Sequence, residues 1–272
     1  MECEGSHLDR RFTGIVTGLM RLLYPCADYI VTPSHGMARE LSQAIGLKTH
    51  HLDKLNVIYN PVVDNQFYQR AQAPLGHPWF QKNQPPVFLA AGRLTLQKDY
   101  ETLLRGFAVL RQQMSARLVI LGDGPMRAPL EALVKDLGVE TDVLLPGFVD
   151  NPYAYMGRAS AFVLSSVWET FGMVLVEALA CGCPVISTDC DYGPAEVLEN
   201  GRYGTLVPVK DFQILAAAMQ AVLTHREYDQ KLLIARAQVF SLEQATKKYL
   251  ELMGFDPLAI EKNIFSGTSL KV

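Results

Sequence analysis

Glu169 and Glu177 are the residues with the clearest potential for chemistry in this sequence. Glu169 lies in a polar turn, 167–171, that follows a short apolar strand predicted over Ala161–Ser165. Glu177 lies in an almost wholly apolar helix that is predicted to begin at Gly172. Open parallel sheets bind ligands where such turns leave the C-terminal ends of their strands. Because a carboxylate inside an apolar helix costs several kcal/mol to bury without hydrogen-bond donors, both acids are candidates to bind a polar ligand.

Backbone amides between the two acids provide a second kind of group. Phe171, Gly172 and Met173 begin the helix, and the amides at a helix N-terminus have no acceptor inside the helix. Such an end attracts anions, and phosphate most strongly. A carboxylate, a cluster of amides and a second carboxylate suit a nucleotide diphosphate that carries a sugar. The alternative is structural, with Glu169 as the helix cap and Glu177 paired with an arginine.

Two cations follow another buried strand, predicted over Val87–Ala91. Gly92 ends that strand and permits close approach of the backbone, and Arg93 and Lys98 come soon after it. If this strand is a parallel neighbour of Ala161–Ser165, both cations reach the same sheet edge as the first glutamate. The forked donor of arginine and the point charge of lysine commonly bind a diphosphate together. Taken alone, two cations five residues apart are also typical of a solvated face.

Glycine turns follow two further predicted strands. Gly122-Asp123-Gly124-Pro125 comes after Leu118–Leu121, and Pro146-Gly147-Phe148-Val149 comes after Val143–Leu145. The first turn lacks the third glycine of a dinucleotide-binding fingerprint, so the motif is weak. We interpret its glycines as architectural, at a sheet edge where a nucleotide could lie.

Strands and helices alternate along most of the chain. Six strands are predicted to begin near residues 87, 118, 143, 161, 183 and 205. This alternation predicts an α/β fold with one doubly wound parallel sheet. Residues 65–86 are rich in glutamine and proline and are predicted to form a connecting loop.

Composition excludes several classes of protein. The chain has 272 residues, of which 49% are hydrophobic, and a net charge of −3, so nucleic acid is a poor candidate partner. Its five cysteines form no C-x-x-C pair, which favours reduced thiols and a cytoplasmic location. The N-terminus does not resemble a signal peptide, and charged residues interrupt each apolar run that could span a membrane.

Two motifs carry weaker alternatives. The apolar stripe over Phe12–Tyr24 is predicted to be a helix docked on the fold, with a peripheral membrane-surface contact as the alternative. Asp189-Cys190-Asp191 has the spacing of an Asp-x-Asp motif that binds a metal–diphosphate. Because Arg93 and Lys98 would already neutralise the phosphates, we interpret that motif as a chance match and predict no metal site.

Three sequence stretches together resemble one enzyme family. Glu169 and Glu177 are followed by ALACGCPVIST at 178–188 and by GPAEVLENGRYGTLVP at 193–208, and the loop at 92–99 reads GRLTLQKD. These motifs resemble the C-terminal, donor-binding domain of GT-B glycosyltransferases, and most closely the large retaining family 4. The resemblance implies a Rossmann-like donor domain.

The resemblance also implies roles for the site residues. Glu169 would contact the donor sugar near the reacting carbon, and Glu177 would bind the nucleotide ribose. The amides of 171–173 would hold the diphosphate together with Arg93 and Lys98.

Backbone contacts of the nucleotide are implied elsewhere. Gly92, Gly122, Gly147 and Val149 would lie near the nucleotide, with the last three near its base and ribose. Because such contacts are made largely by backbone atoms, residue identity says little about which base is bound.

The family pattern implies a division of the chain. A remnant of the N-terminal, acceptor-side domain would occupy residues 1–62, and a linker would follow at 63–86. The donor-binding domain would occupy residues 87–240, and a bracing helix with a tail would occupy 241–272. In the family the first domain is longer by well over one hundred residues than this remnant. The chain is therefore expected to be a fragment or to work with the donor half alone.

The implied activity is transfer of a sugar from a UDP- or GDP-linked donor to an acceptor hydroxyl, with retention and without a metal or other cofactor. The acceptor would be a sugar or a lipid-linked sugar, as in polysaccharide biosynthesis, and the sequence predicts no oligomeric state. One alternative is a nucleotide-sugar-binding module that is inactive alone. The other is a GT-B phosphorylase or epimerase, although no motif for a lysine-bound pyridoxal phosphate is present.

Overall fold

The computed structural model describes residues 7–46, 49–64, 66–224 and 228–256. These residues belong to two compact units, one within Met1–Tyr59 and the other within Asn60–Val272.

The first unit contains a short parallel pair of strands between helices. Its elements are α1 (His7–Leu23), β1 (Ile30–Thr32), α2 (His35–Ile45) and β2 (Leu55–Val57). Ser34 caps α2, because its side chain accepts a hydrogen bond from the Met37 amide. Strand β1 pairs in parallel with β2, with Ile30 to Thr32 opposite Leu55 to Val57.

The second unit is built on a six-stranded parallel sheet. Its strands are β3 (Val87–Ala91), β4 (Arg117–Leu121), β5 (Val143–Gly147), β6 (Ala161–Leu164), β7 (Val185–Thr188) and β8 (Thr205–Val207). The strands lie in the order β5-β4-β3-β6-β7-β8, and every neighbouring pair is parallel. The direction of winding reverses between β3 and β6, which makes that point the switch point of a doubly wound sheet. The predicted fold class is confirmed.

Helices cover both faces of this sheet. They are α3 (Phe67–Gln72), α4 (Tyr100–Arg111), α5 (Arg127–Asp136), α6 (Pro152–Met156), α7 (Met173–Ala180), α8 (Pro194–Val197), α9 (Phe212–Thr224), α10 (Gln230–Gln238) and α11 (Leu242–Leu252). All four residues of β6 are buried, as are those of β7, which is the continuous apolar run expected of a covered parallel strand.

Helix α3 corrects the loop prediction for residues 65–86. Phe67 is almost fully buried, and its ring centroid lies 4.2 Å from that of Tyr153 in α6. The glutamine-rich composition concealed this helix, because only Phe67 and Ala71 anchor it in the core. A second short helical turn over Pro78–Phe80 lies in the same stretch.

Helix α11 begins where it was predicted to begin. Ser241 accepts a hydrogen bond from the Gln244 amide and so caps the helix. The chain just before this cap pairs with an earlier segment, since the Phe240 carbonyl accepts hydrogen bonds from the amides of Val62 and Val63. The predicted bracing role of this helix stays a prediction.

Candidate functional site

A cavity of about 360 Å³ opens at the switch point of the six-stranded sheet. Its walls come from the ends of β3 and β6 and from the beginning of α7. Eight of the eleven predicted site residues line this cavity: Gly92, Arg93, Lys98, Glu169, Phe171, Gly172, Met173 and Glu177. We call it the donor cavity, after the role that the sequence resemblance implies for these residues.

Lys98 and Glu169 form an ion pair in the donor cavity. Lys98 Nζ lies 2.5 Å from Glu169 Oε1, and the two side chains are only 16% and 8% exposed. The Ser166 hydroxyl donates a second hydrogen bond of 2.7 Å to the same carboxylate oxygen. Glu169 is therefore held by two donors, and it is not the helix cap that the structural alternative required, because Gly172 occupies that position.

The loops that carry this pair are fixed to each other. The Ser165 hydroxyl donates to the Lys98 carbonyl at 2.8 Å, and the Val167 amide donates to the Gln97 carbonyl at 2.8 Å. A Cβ at Gly92 would lie 3.3 Å from Lys98 Cε, so a side chain there would crowd the lysine. The predicted close approach at Gly92 thus makes room for the lysine stem.

Helix α7 directs its first amides at the donor cavity. Gly172 has φ +82, a left-handed conformation that favours glycine, and the Leu175 amide donates to its carbonyl at 2.9 Å. The amides of Met173 and Val174 have no acceptor within the helix. The Phe171 ring is buried and packs edge-on against the Phe240 ring, with the ring centroids 5.5 Å apart.

Glu177 lies one helical turn further along α7 and is half-buried. Within the described ranges its carboxylate accepts no hydrogen bond and pairs with no arginine, contrary to the structural alternative. Burial raises its pKa above the ordinary carboxyl value. An acid in this state is stabilised by a ligand that donates hydrogen bonds to it.

Arg93 is the exposed cation of the donor cavity. No hydrogen bond or ion pair to another described residue holds its guanidinium. It can therefore contact an anion as a free cation, whereas Lys98 would contact one while it stays paired with Glu169.

Three predicted site residues lie outside the walls of the donor cavity. A Cβ at Gly122 would lie 2.1 Å from the Gly92 carbonyl oxygen, so this glycine is required for packing. The Gly122 amide donates to the Gly147 carbonyl at 2.8 Å, and Val149 is half-buried two residues beyond it. Their nucleotide contacts stay a prediction.

Sequence reasoning missed Asn60, Thr170 and Val174, which also line the donor cavity. Thr170 and Val174 lie inside the stretch that was singled out and could have been included. Asn60 is the first residue of the second unit, far in the sequence from the motifs that mark the other site residues, and no motif marks it.

The Asp-x-Asp motif lies beside the same loop. Asp189 and Asp191 are exposed, whereas Cys190 between them is buried. The Asp191 carbonyl accepts a hydrogen bond of 3.3 Å from the Glu169 amide, which is a structural contact of the backbone. Among the residues that the structure describes, no three His, Cys, Asp or Glu side chains form a group that could bind a metal ion.

Comparison with known proteins gives the family. The family model described as glycosyl transferases group 1 matches residues 77–238, which include the whole six-stranded sheet. The chain belongs to this glycosyltransferase family. The predicted recognition of GT-B glycosyltransferases and of a Rossmann-like donor domain is thereby confirmed.

Relatives of this glycosyltransferase chain act in glycan assembly. A Campylobacter jejuni protein named N-acetylgalactosamine-N,N'-diacetylbacillosaminyl-diphospho-undecaprenol 4-alpha-N-acetylgalactosaminyltransferase is 33% identical over 218 residues, covering 80% of this chain and 57% of the relative. The apo structure of the lipopolysaccharide outer core galactosyltransferase WaaB superposes with a TM-score of 0.69 at 27% identity, covering 84% of this chain and 62% of WaaB.

A further solved structure shows the same fold. Anabaena HepE in complex with UDP has a TM-score of 0.70 at 21% identity, and the match covers 84% of this chain and 64% of HepE. The chain therefore spans less than two thirds of the length of each of these proteins. None of the helices in the described part is long and apolar enough to cross a membrane.

Proposed function

We propose that this glycosyltransferase chain binds a nucleotide-diphosphate sugar in the donor cavity and transfers the sugar to an acceptor hydroxyl. The observation that carries the proposal is that positively charged groups and carboxylates line one cavity. Two cationic side chains, the first residues of α7 and two glutamates line the same cavity. A diphosphate with a sugar at each end has the complementary pattern.

The diphosphate would be held by preorganised positive charge. Arg93 supplies a free guanidinium, Lys98 supplies an ammonium group, and α7 directs the amides of Met173 and Val174 at the same space. Groups fixed where negative charge develops on a leaving group lower the barrier without reorganisation. This arrangement supports departure of the diphosphate without a metal ion, which we include in the proposal.

The transferred sugar would contact Glu169. Its carboxylate is fixed by Lys98 and Ser166, so it can accept hydrogen bonds from sugar hydroxyls and stabilise positive charge near the reacting carbon. Retention of the anomeric configuration follows the family resemblance of the motif around this residue and is part of the proposal.

The nucleotide ribose would contact Glu177. The hydroxyls of a ribose are hydrogen-bond donors of the kind that this half-buried, unpaired carboxylate lacks in the described chain. The base would lie toward the turns at Gly122 and Gly147. The presence of UDP in the HepE complex supports a uridine nucleotide as the first candidate.

The acceptor is proposed from the relatives. The name of the Campylobacter relative specifies a glycan on diphospho-undecaprenol, and WaaB is named for the lipopolysaccharide outer core. The acceptor class that we propose is therefore a sugar or a lipid-linked sugar in polysaccharide assembly. We propose that the transfer takes place in the cytoplasm.

Calorimetric titration with UDP, GDP and ADP, followed by a sugar-release assay with the matching nucleotide sugars, tests this function. We expect one diphosphate to bind, with Glu177→Ala weakening nucleotide binding and Glu169→Ala reducing transfer more than binding. The exposed Glu140→Gln serves as the control for both.

The outcomes separate the candidates. Binding with turnover supports the transferase, and binding without turnover supports the donor-binding module that the sequence left open. Absence of binding by all three nucleotides contradicts both, and equal losses of binding in the two glutamate variants contradict their separate roles.

A further inference from the structure

A second and larger cavity, of about 670 Å³, lies in the same unit of the chain. Its size is within the range of small-molecule sites. The loops that wall the donor cavity also wall this one: Lys98 and Glu169 line the first cavity, whereas Gln97 and Trp168 line the second. We call it the tryptophan cavity.

Trp168 is the most exposed aromatic residue that lines this cavity, and its backbone is fixed by hydrogen bonds. Its side chain is 51% exposed, although its carbonyl accepts a hydrogen bond of 2.9 Å from the Gln97 side-chain amide. The residue also forms a bridge with Asp191 on its other side. The backbone that carries the indole is thus held in place before any ligand binds, which lowers the entropy lost on binding.

The charges of the side chains that line the tryptophan cavity sum to zero. Asp99 and Glu101 supply two negative charges, and Arg105 and Lys210 supply two positive charges. Arg105 and Glu101 are paired at 2.8 Å, and Asp99 accepts a hydrogen bond from the Thr102 hydroxyl at 2.7 Å. The cavity therefore lacks the net positive charge that would select a second phosphate or nucleotide.

The remaining walls combine apolar surface with planar hydrogen-bonding groups. Leu96 and Phe212 line the cavity together with Trp168, and the Gln97 amide and the Arg105 guanidinium are among its polar groups. A hydrophobic peptide would remove the charged groups of this cavity from water, including the Arg105–Glu101 pair, at a cost in desolvation. A sugar ring, by contrast, has an apolar face of C–H groups and an edge of hydroxyls.

We propose that the tryptophan cavity binds a neutral saccharide, with the apolar face of a sugar ring on Trp168 and its hydroxyls toward the charged side chains of α4 and Lys210. The site is distinct from the donor cavity and holds no part of the nucleotide. Aromatic rings contribute large contact areas of fixed geometry, so the indole supplies most of the affinity. This binding goes beyond the proposed transfer reaction and does not depend on it.

The two tryptophans of the chain allow a direct test by NMR of their indole N–H signals. Trp79 provides an internal control, because it lies beneath the Arg117 guanidinium at 4.8 Å and does not line the cavity. Lactose, cellobiose and chitobiose are titrated into the full chain, with sialyllactose as the charged comparison. We expect at least one neutral disaccharide to shift the Trp168 signal saturably at millimolar concentrations, while the Trp79 signal stays in place.

Variants locate the site. Trp168→Ala should weaken saccharide binding about tenfold, and Trp79→Phe should leave it unchanged. Trp168→Tyr, which keeps an aromatic face, should retain most of the affinity. Thermal unfolding of the same samples reports that each variant is folded, and any UDP binding should change less than about twofold.

The inference is overturned if none of the three neutral disaccharides moves the Trp168 signal. It is also overturned if sialyllactose binds more tightly than lactose, or if Trp168→Ala binds as well as the unchanged chain. Saccharide binding without binding of any nucleotide would leave this inference intact and remove the proposed function. Nucleotide binding and turnover without saccharide binding would do the reverse.

Discussion

Lys98 Nζ lies 2.5 Å from Glu169 Oε1, across the point where the winding of the sheet reverses. The two residues are 71 positions apart in the sequence and lie after the neighbouring strands β3 and β6. The pair thus joins the two loops of the donor cavity. It also couples two proposed roles, because the lysine that would contact the diphosphate fixes the carboxylate that would contact the sugar.

Loss of Lys98 should destabilise the fold as well as the site. In Lys98→Met the Glu169 carboxylate, only 7% exposed, loses its cation, and breaking such a pair costs about 3–5 kcal/mol. Unfolding in urea measures the change in free energy. The double variant Lys98→Met with Glu169→Gln should recover most of the loss, since no charge is left unpaired. Equal stability of the single and double variants would contradict the pairing.

Arg93 should contribute to binding and not to stability. Because no described residue holds its guanidinium, Arg93→Gln should change the free energy of unfolding by less than about 0.5 kcal/mol. It should weaken binding of the nucleotide diphosphate by about ten- to one hundredfold and affect the monophosphate less, since charge-assisted hydrogen bonds are worth about 1.5–3 kcal/mol. Calorimetry with UDP and UMP provides the comparison, and exposed Lys82→Gln is the matched control. Parallel losses for both nucleotides would argue against a diphosphate contact.

The sequence predicted most of the donor cavity because strand ends of a parallel sheet share one edge. Once Val87–Ala91 and Ala161–Leu164 are neighbours, the residues that follow them must meet. The pairing of Lys98 with Glu169 was not predicted, since it depends on side-chain conformations and on the space that Gly92 leaves.

Other features were hidden for different physical reasons. Helix α3 is short, and its two buried residues lie in a glutamine-rich stretch without a helical stripe. Trp168 was not singled out, because a single aromatic residue in a polar turn has no periodicity to mark it. The neutral charge of the tryptophan cavity depends on α4 and Lys210 meeting in space, which the order of the sequence does not show.

The Glu177 carboxylate should lower the free energy of unfolding at neutral pH, although it supports nucleotide binding. Burial raises its pKa in the folded chain, so the folded state holds the proton more tightly than the unfolded state. The contribution of this group to the free energy of unfolding is therefore fully present below the ordinary carboxyl pKa of 4.5. It is lost as the pH rises through the raised pKa of the folded state. Glu177→Gln should remove this fall and be the more stable protein at pH 7.

Urea unfolding across that pH range measures the free energy of unfolding at each pH. The exposed Glu140→Gln variant is the control, and it should leave the dependence of this free energy on pH unchanged. The same Glu177→Gln variant should bind the nucleotide about tenfold more weakly, because it loses a charged acceptor. A variant that is less stable than the original chain at pH 7 would show that a partner for the carboxylate exists in the free protein.

Gly172 should be required for the direction of the α7 amides. In Gly172→Ala a side chain must adopt φ +82, and its Cβ would lie 3.2 Å from Leu175 Cδ1. The left-handed conformation costs about 1–2 kcal/mol, and relief of it would turn the first amides of the helix away from the donor cavity. Gly138→Ala is the matched control, since Gly138 has φ +68 with no atom within 4 Å of the added Cβ. Both variants should lose similar stability in thermal unfolding, whereas calorimetry should show weaker UDP binding for Gly172→Ala alone. If both bind UDP as well as the original chain, the amides of α7 do not hold the diphosphate.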